Sequence, residues 1–149
     1  MKEVFKRYSQ KVLPDCHDED GNNYAYAVFR LFVASMFFMH GMQKIFGLFG
    51  GAGGAGMTVP LASLAWFAGI IEIIVGLLVF FGILTRLAAM VAIVEMAVAY
   101  FVVHLARGIM PLLNGGELAL LYFAAFLVIL RYGAGKLSLE KMWRKRELF

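Results

Sequence analysis

The sequence predicts an all-α integral membrane protein, an antiparallel four-helix bundle with both termini in the cytoplasm. Three observations carry that expectation. The 149 residues are 62% hydrophobic and 16% charged, with a mean hydropathy of +0.78, whereas a soluble domain is roughly 45–50% apolar. A chain this short has too little interior to hide the excess from water, so the solvent it fits is the bilayer. The apolar residues also fall into four long runs, and about 20 such residues span the hydrocarbon as a helix. Finally, lysine and arginine gather on one side of those runs, which orients them.

The elements follow in order. Residues 1–23 read as a cytoplasmic arm. Its opening, "MKEVFKRYSQKVL", sets Phe5, Tyr8 and Val12 at helical spacing among cations, as an interfacial helix or a disordered tail would. "DCHDED" at 15–20 has metal-ligand residue types without ligand spacing and reads as an acidic linker. The membrane domain is expected over 24–132, with spans at 24–46, 60–82, 86–106 and 117–131. The last reaches spanning length only when counted as 115–132. Helices are required because lipid offers no partner to an unpaired amide. "GLFGGAGGAG" at 47–56 breaks the first span from the second, Pro60 suits a helix start, and "RGIMPLLNGGE" separates the third from the fourth. Residues 133–149 read as a basic cytoplasmic tail, with Trp143 as an interface anchor.

Lys2, Lys6, Arg7 and Lys11 precede the first span. Arg131, Lys136, Lys141, Arg144, Lys145 and Arg146 follow the fourth, and Arg86 lies between the second and third. Only Lys44 and Arg107 fall on the other side. This bias places both termini in the cytoplasm of a multi-pass protein of the inner (cytoplasmic) membrane. No short apolar run with a small-residue cleavage site precedes the first span, so no cleavable signal is expected. The single Cys16 excludes an internal disulfide framework, and no nucleic-acid partner is expected.

Polar residues inside the spans are the candidate site, because each costs roughly 2.5–3.5 kcal/mol on insertion scales. One layer lies near the non-cytoplasmic face: His40, Gln43 and Lys44 at the end of the first span, His104 and Arg107 at the end of the third, Asn114 and Glu117 opening the fourth. His40 and Lys44, four apart, share a helix face. Glu117 complements a helix N-terminus and could pair with Lys44 or a protonated histidine. Snorkelling alone would account for Lys44 and Arg107. A second layer lies deeper. Arg30, ~9 Å into its span, is expected to meet Glu72, Glu95 or both. Ala62, Ala65, Gly69, Glu72 and Gly76 form a seam of small residues that permits close helix contact, and Ala88, Ala92, Glu95 and Ala99 do the same on the third span. These charges read either as ion pairs fixing helix register or as a proton-sharing site. His104 stands nine residues after Glu95, half a turn away at ~100° per residue. Either the helix is irregular there or the two serve different sites. "GAGGAG" at 51–56 matches the dinucleotide fingerprint only as text, since it does not join a strand to a helix.

"HGMQKIFGLFGG" from His40, "EIIVGLLVFFGILTRLAA" from Glu72, "VEMAVAYFVVH" from Val94, "GIMPLLNGGELALLY" from Gly108 and "GAGKLSLE" from Gly133 together resemble the DoxX family of small four-helix membrane proteins, over about residues 24–140. The resemblance implies a bacterial or archaeal membrane protein linked to quinone-dependent redox chemistry, like the small subunits of thiosulfate:quinone oxidoreductases or members associated with thiol and oxidative-stress systems. The spans lack a cysteine pair, which argues against direct dithiol chemistry.

The function expected is therefore a membrane subunit of a quinone-linked oxidoreductase with an outward-facing polar pocket. Catalytic roles fall to His40, His104 and Glu117. Ligand contacts fall to His40, Gln43 and Lys44, with Arg30, Glu72 and Glu95 as the pocket floor and no metal. Electrons would come from a partner protein or a small sulfur compound, with membrane lipids as surroundings and a homo-oligomer left open. Haem held by His40 and His104 is the weaker cofactor reading. The alternative function is a non-catalytic assembly or anchoring subunit. A solute carrier is disfavoured, because no inverted repeat is visible.

Overall fold

The computed structural model describes residues 24–135 and 137–140, and they are helical apart from loops and one isolated bridge between Gly51 and Met57. The amino-terminal arm, the acidic linker and Trp143 lie outside the described residues. Helix α1 spans Tyr24–Phe46, α2 Leu64–Phe81 and α3 Thr85–Val98; α3 continues through a π turn, Ala99–His104, and a 3-10 turn, Leu105–Arg107. A short α4, Pro111–Asn114, precedes α5, Glu117–Tyr132. Among the described residues, three helices are long and apolar enough to cross a membrane: Tyr24–Phe46, Leu64–Phe81 and Thr85–Arg107. With 16 residues, α5 is about 24 Å long, short of a hydrocarbon core of roughly 30 Å.

The second span starts later than its composition predicts. Pro60 lies in an exposed turn, and the helix begins where Ser63 accepts the Trp66 amide on its hydroxyl at 3.2 Å. That bond satisfies a donor the first helical turn would otherwise leave open. Ala62 and Ala65 are consequently exposed, and the small-residue seam starts at Gly69. From there it is tight. A Cβ on Gly41 would sit 2.6 Å from the Gly69 carbonyl oxygen, and one on Gly76 would meet Phe38 Cβ at 2.7 Å. The backbones of α1 and α2 therefore touch, as small residues allow in a lipid setting where apolar burial supplies no drive.

The other main contact joins α3 to α5, while α1 meets α5 only lightly. Between them lies a core of Phe37, Val75, Val79, Ala92, Phe126 and Ile129. Phe37 packs edge-on against Tyr122 and Phe126, with ring centroids 5.1 and 4.7 Å away. Large apolar side chains such as Phe32, Ile74, Val94 and Leu121 stay exposed on the outside. An apolar exterior of this extent matches hydrocarbon and not water.

The end of the molecule that holds the α2–α3 turn is bound by backbone carbonyls. Arg30, fully buried, donates to the carbonyls of Val79, Phe80 and Leu137. Ser138 donates its hydroxyl to Gly82 O at 2.9 Å, and Glu140 Oε2 accepts the Leu84 amide at 3.0 Å. Leu84 has φ 45°, a costly conformation for a residue with a branched side chain, and the Glu140 bond holds it there. Residues 133–140 fall in the stretch read as a basic tail. Ala134, Ser138 and Glu140 are instead buried, because they close the carbonyl-rich end of the helices.

Candidate functional site

Four polar side chains, one from each long helix, gather in the half of the molecule away from that turn. Lys44, in the last turn of α1, forms an ion pair with Glu72 of α2 at 2.6 Å. Glu95 of α3 lies within electrostatic reach of both, and Tyr122 of α5 within reach of Glu72. Close contact at Gly41–Gly69 is what lets Lys44 fold back onto α2: Lys44 Cβ lies 3.0 Å from where a Gly69 Cβ would be. The supply of partners is unequal. Glu72 Oε1 takes the ammonium, yet Glu72 Oε2, both oxygens of Glu95 and the Tyr122 hydroxyl are buried with no hydrogen-bond partner among the described residues. Buried polar atoms nearly always find partners, so a group of four without one calls for a reason.

A cavity of about 790 Å³ adjoins this cluster. It opens between the first half of α2 and the stretch of α3 from Met90 to His104, on walls that include Phe67, Ile71, Met90 and Val94. Lys44, Ser63, Glu95 and His104 are the polar residues of its lining, with both Glu95 oxygens buried away from the open space. The expected pocket was polar; the observed one is chiefly apolar, because its walls are lipid-side faces of two hydrophobic helices.

The π turn explains how Glu95 and His104 reach one cavity. A straight helix would set them half a turn apart. Bonding from i to i+5 takes up one extra residue, which turns His104 back by ~100°. His104 is then fixed by its own hydrogen bond, Nδ1 to Asn114 O at 3.1 Å. A carbonyl only accepts, so Nδ1 carries the proton and a neutral ring keeps Nε2 as an acceptor. Asn114 is itself held, donating to Gly108 O at 2.6 Å and accepting the Gly116 amide at 2.7 Å. The loop before α5 is in effect a bracket for the histidine.

Several expected placements are corrected. Arg30 does not form a floor with Glu72 and Glu95; it lies near the start of α1, at the opposite end, where the final carbonyls of α2 attract a cation. His40 is half-buried and faces Tyr122 edge-on with ring centroids 5.7 Å apart; it does not line the cavity, whereas His104 does. Glu117 is exposed in the first turn of α5, and Lys44 pairs with Glu72 in its place. Gln43 keeps its expected place beside His40, to which it is hydrogen-bonded, and also donates to Phe49 O of the glycine-rich loop at 3.5 Å. Tyr122 was missed. The available signal was a hydroxyl inside an apolar run, a group that needs a polar neighbour when buried.

Comparison with known proteins places the chain. The DoxX family model matches residues 25–105. An uncharacterized protein of Haemophilus influenzae is 41% identical over 130 residues, covering 83% of this chain and 93% of the relative. A second uncharacterized protein of that organism is 30% identical over 141 residues, covering 89% and 93%. No solved structure matches. With the family model spanning more than half of its length, and a relative of this identity aligned along most of it, the chain belongs to the DoxX family of membrane proteins.

Proposed function

We propose that this chain is the membrane subunit of a quinone-linked oxidoreductase. In this reading it lies in the cytoplasmic membrane as an antiparallel four-helix bundle with both termini in the cytoplasm. The cavity between α2 and α3 holds the quinone. The observation that carries the reading is one amphipathic site: a chiefly apolar cavity of about 790 Å³ whose lining also includes Lys44, Ser63 and His104. Ligand pockets of roughly 300–1,000 Å³ combine an apolar lining with a few placed polar groups, and a quinone asks for that division, with carbonyls at the head and hydrocarbon behind. When bound, a quinone supplies an acceptor for two electrons and two protons.

The chain's own residues would bind and orient. Phe67, Ile71, Met90 and Val94 exclude water and take the apolar part. His104, held through Nδ1 by Asn114, presents a fixed ring edge. Lys44 neutralises the Glu72 charge beside the cavity. Electrons would come from a partner protein or a reduced sulfur compound.

The test is equilibrium binding of decylubiquinone to purified protein in lipid nanodiscs. Wild type binds, and Val94→Trp, which fills the cavity from its exposed wall, loses most of that binding while remaining folded. Equal binding by both proteins, or by neither, ends the reading. A non-catalytic anchoring subunit is the second reading. It is favoured by the carbonyl-bound Arg30 end, which needs no ligand to explain its buried charge, and it predicts no quinone binding at all.

A further inference from the structure

The segment from Gly108 to Gly116 joins the third span to α5 without a charged residue. A connection lying in water ordinarily leaves its backbone polar groups to the solvent. Here the pattern is inverted. The side chains turned outward are apolar: Ile109, Met110, Leu112 and Leu113 are 82, 65, 76 and 87% exposed. The carbonyls are meanwhile served from within the protein. Asn114 Nδ2 donates to Gly108 O at 2.6 Å, the Tyr100 hydroxyl to Ile109 O at 3.3 Å, and His104 Nδ1–H to Asn114 O at 3.1 Å. The amides of Leu113 and Asn114 reach Met110 O at 3.0 and 2.9 Å, and the Gly116 amide reaches Pro111 O at 3.1 Å. Pro111 brings no N–H that would need a partner. Asn114, the one polar side chain of the segment, is buried.

We infer that this loop is seated in the membrane, with Ile109, Met110, Leu112 and Leu113 inserted among the lipid acyl chains of the leaflet at this end of the molecule. Hydrocarbon requires the backbone to be satisfied internally, and water does not. Side chains of Tyr100, His104 and Asn114 do here what water would do for an ordinary loop. The length of α5 points the same way. Its 16 residues make about 24 Å against a hydrocarbon core of roughly 30 Å. The far end carries Arg131 and an exposed Tyr132, residue types that anchor at an interface. The shortfall of roughly 6 Å therefore falls at the loop, and hydrocarbon extends past the start of the helix. The four side chains also continue the exposed apolar surface of Phe101, Val102, Leu118 and Leu121, so one solvent covers both. Arg107 and Glu117 flank the segment and are exposed, with side chains long enough to reach the headgroups.

The seat has a consequence for the cavity. Asn114 of this loop fixes His104, and His104 lines the cavity. The depth of the loop thus sets the depth of that polar end, within the leaflet and not in open water. The inference stands apart from the quinone reading, because it concerns what surrounds the loop and not what fills the cavity.

Electron paramagnetic resonance of the full chain in phosphatidylcholine–phosphatidylglycerol liposomes tests it. Leu112→Cys and Leu113→Cys each receive a nitroxide label, in a Cys16→Ser background that leaves one thiol per chain. Molecular oxygen, which concentrates in hydrocarbon, and a water-soluble nickel chelate compete as relaxing agents. At both sites oxygen should outweigh nickel several-fold. Nickel equal to or above oxygen would place the loop in water and overturn the inference. Exclusion of both agents would mean that a protein surface covers the loop, a second copy included, and overturns it as well. Should a label at either site prevent folding, Ile109→Cys, which is 82% exposed, takes its place under the same criteria.

Discussion

The two ends of the helix array each bury charge, and they handle it in opposite ways. At the α2–α3 turn, Arg30 ends on three backbone carbonyls, with Ser138 and Glu140 binding the turn itself. At the other end, Lys44 neutralises Glu72 while Glu95 and Tyr122 are left without hydrogen-bond partners among the described residues. The first arrangement satisfies its buried charge and explains itself as structure, with the Thr85 hydroxyl there buried without a partner among the described residues. The second has hydrogen-bonding capacity to spare beside a cavity. The contrast separates a buried charge that ties helices together from two carboxyls that share one cation. Sequence depth alone made the two look alike.

Substitutions can break or sharpen this contrast. The largest effect is expected from Lys44→Met, which strands the Glu72 carboxylate and should destabilise by about 3–5 kcal/mol; adding Glu72→Leu should recover much of the loss, as read by thermal unfolding in detergent. Failure of the double variant to recover would mean that the pair is not the isolated unit described here. Next is Arg30→Met. Removing the charged donor should cost on the order of 3 kcal/mol, while the protein that remains folded binds decylubiquinone as before. A selective loss of that binding would erase the distinction between the ends.

Gly76→Val should follow at about 1–3 kcal/mol, because a Cβ there meets Phe38 Cβ at 2.7 Å and Phe38 Cα at 2.9 Å, and the backbone of α1 cannot turn aside as a side chain can. Glu140→Ala should cost less, about 1 kcal/mol, the usual loss when the side-chain acceptor at a helix start is removed; a shift in unfolding temperature checks it. The smallest stability change belongs to Glu95→Gln, within about 1 kcal/mol, since it replaces a carboxyl without partners by an amide of the same shape. Unfolding temperature measures that, and a large drop would show that Glu95 holds the fold together.

Much of the helical plan was legible in the sequence. The apolar runs, the glycine-rich break and the proline that opens α4 act locally, and lipid leaves the backbone few alternatives to a helix. The start of α2 was misread because Pro60 and Ser63 both suit a helix entry, and only the Trp66 amide chooses between them. The site was legible in part. Lys44, Glu72, Glu95 and His104 stood out as polar groups in apolar surroundings. Tyr122 passed as one more aromatic, and Arg30 was assigned by depth to the wrong partners.

The sequence by itself determined that the chain is helical, that it suits a bilayer, and which side chains are costly enough there to need a reason. Only the tertiary structure decided which of them meet. Composition fixes the expense of burying a charge, but its partner depends on how helices rotate and approach. Here a π turn swings His104 toward Glu95, and glycine contacts bring Lys44 onto Glu72.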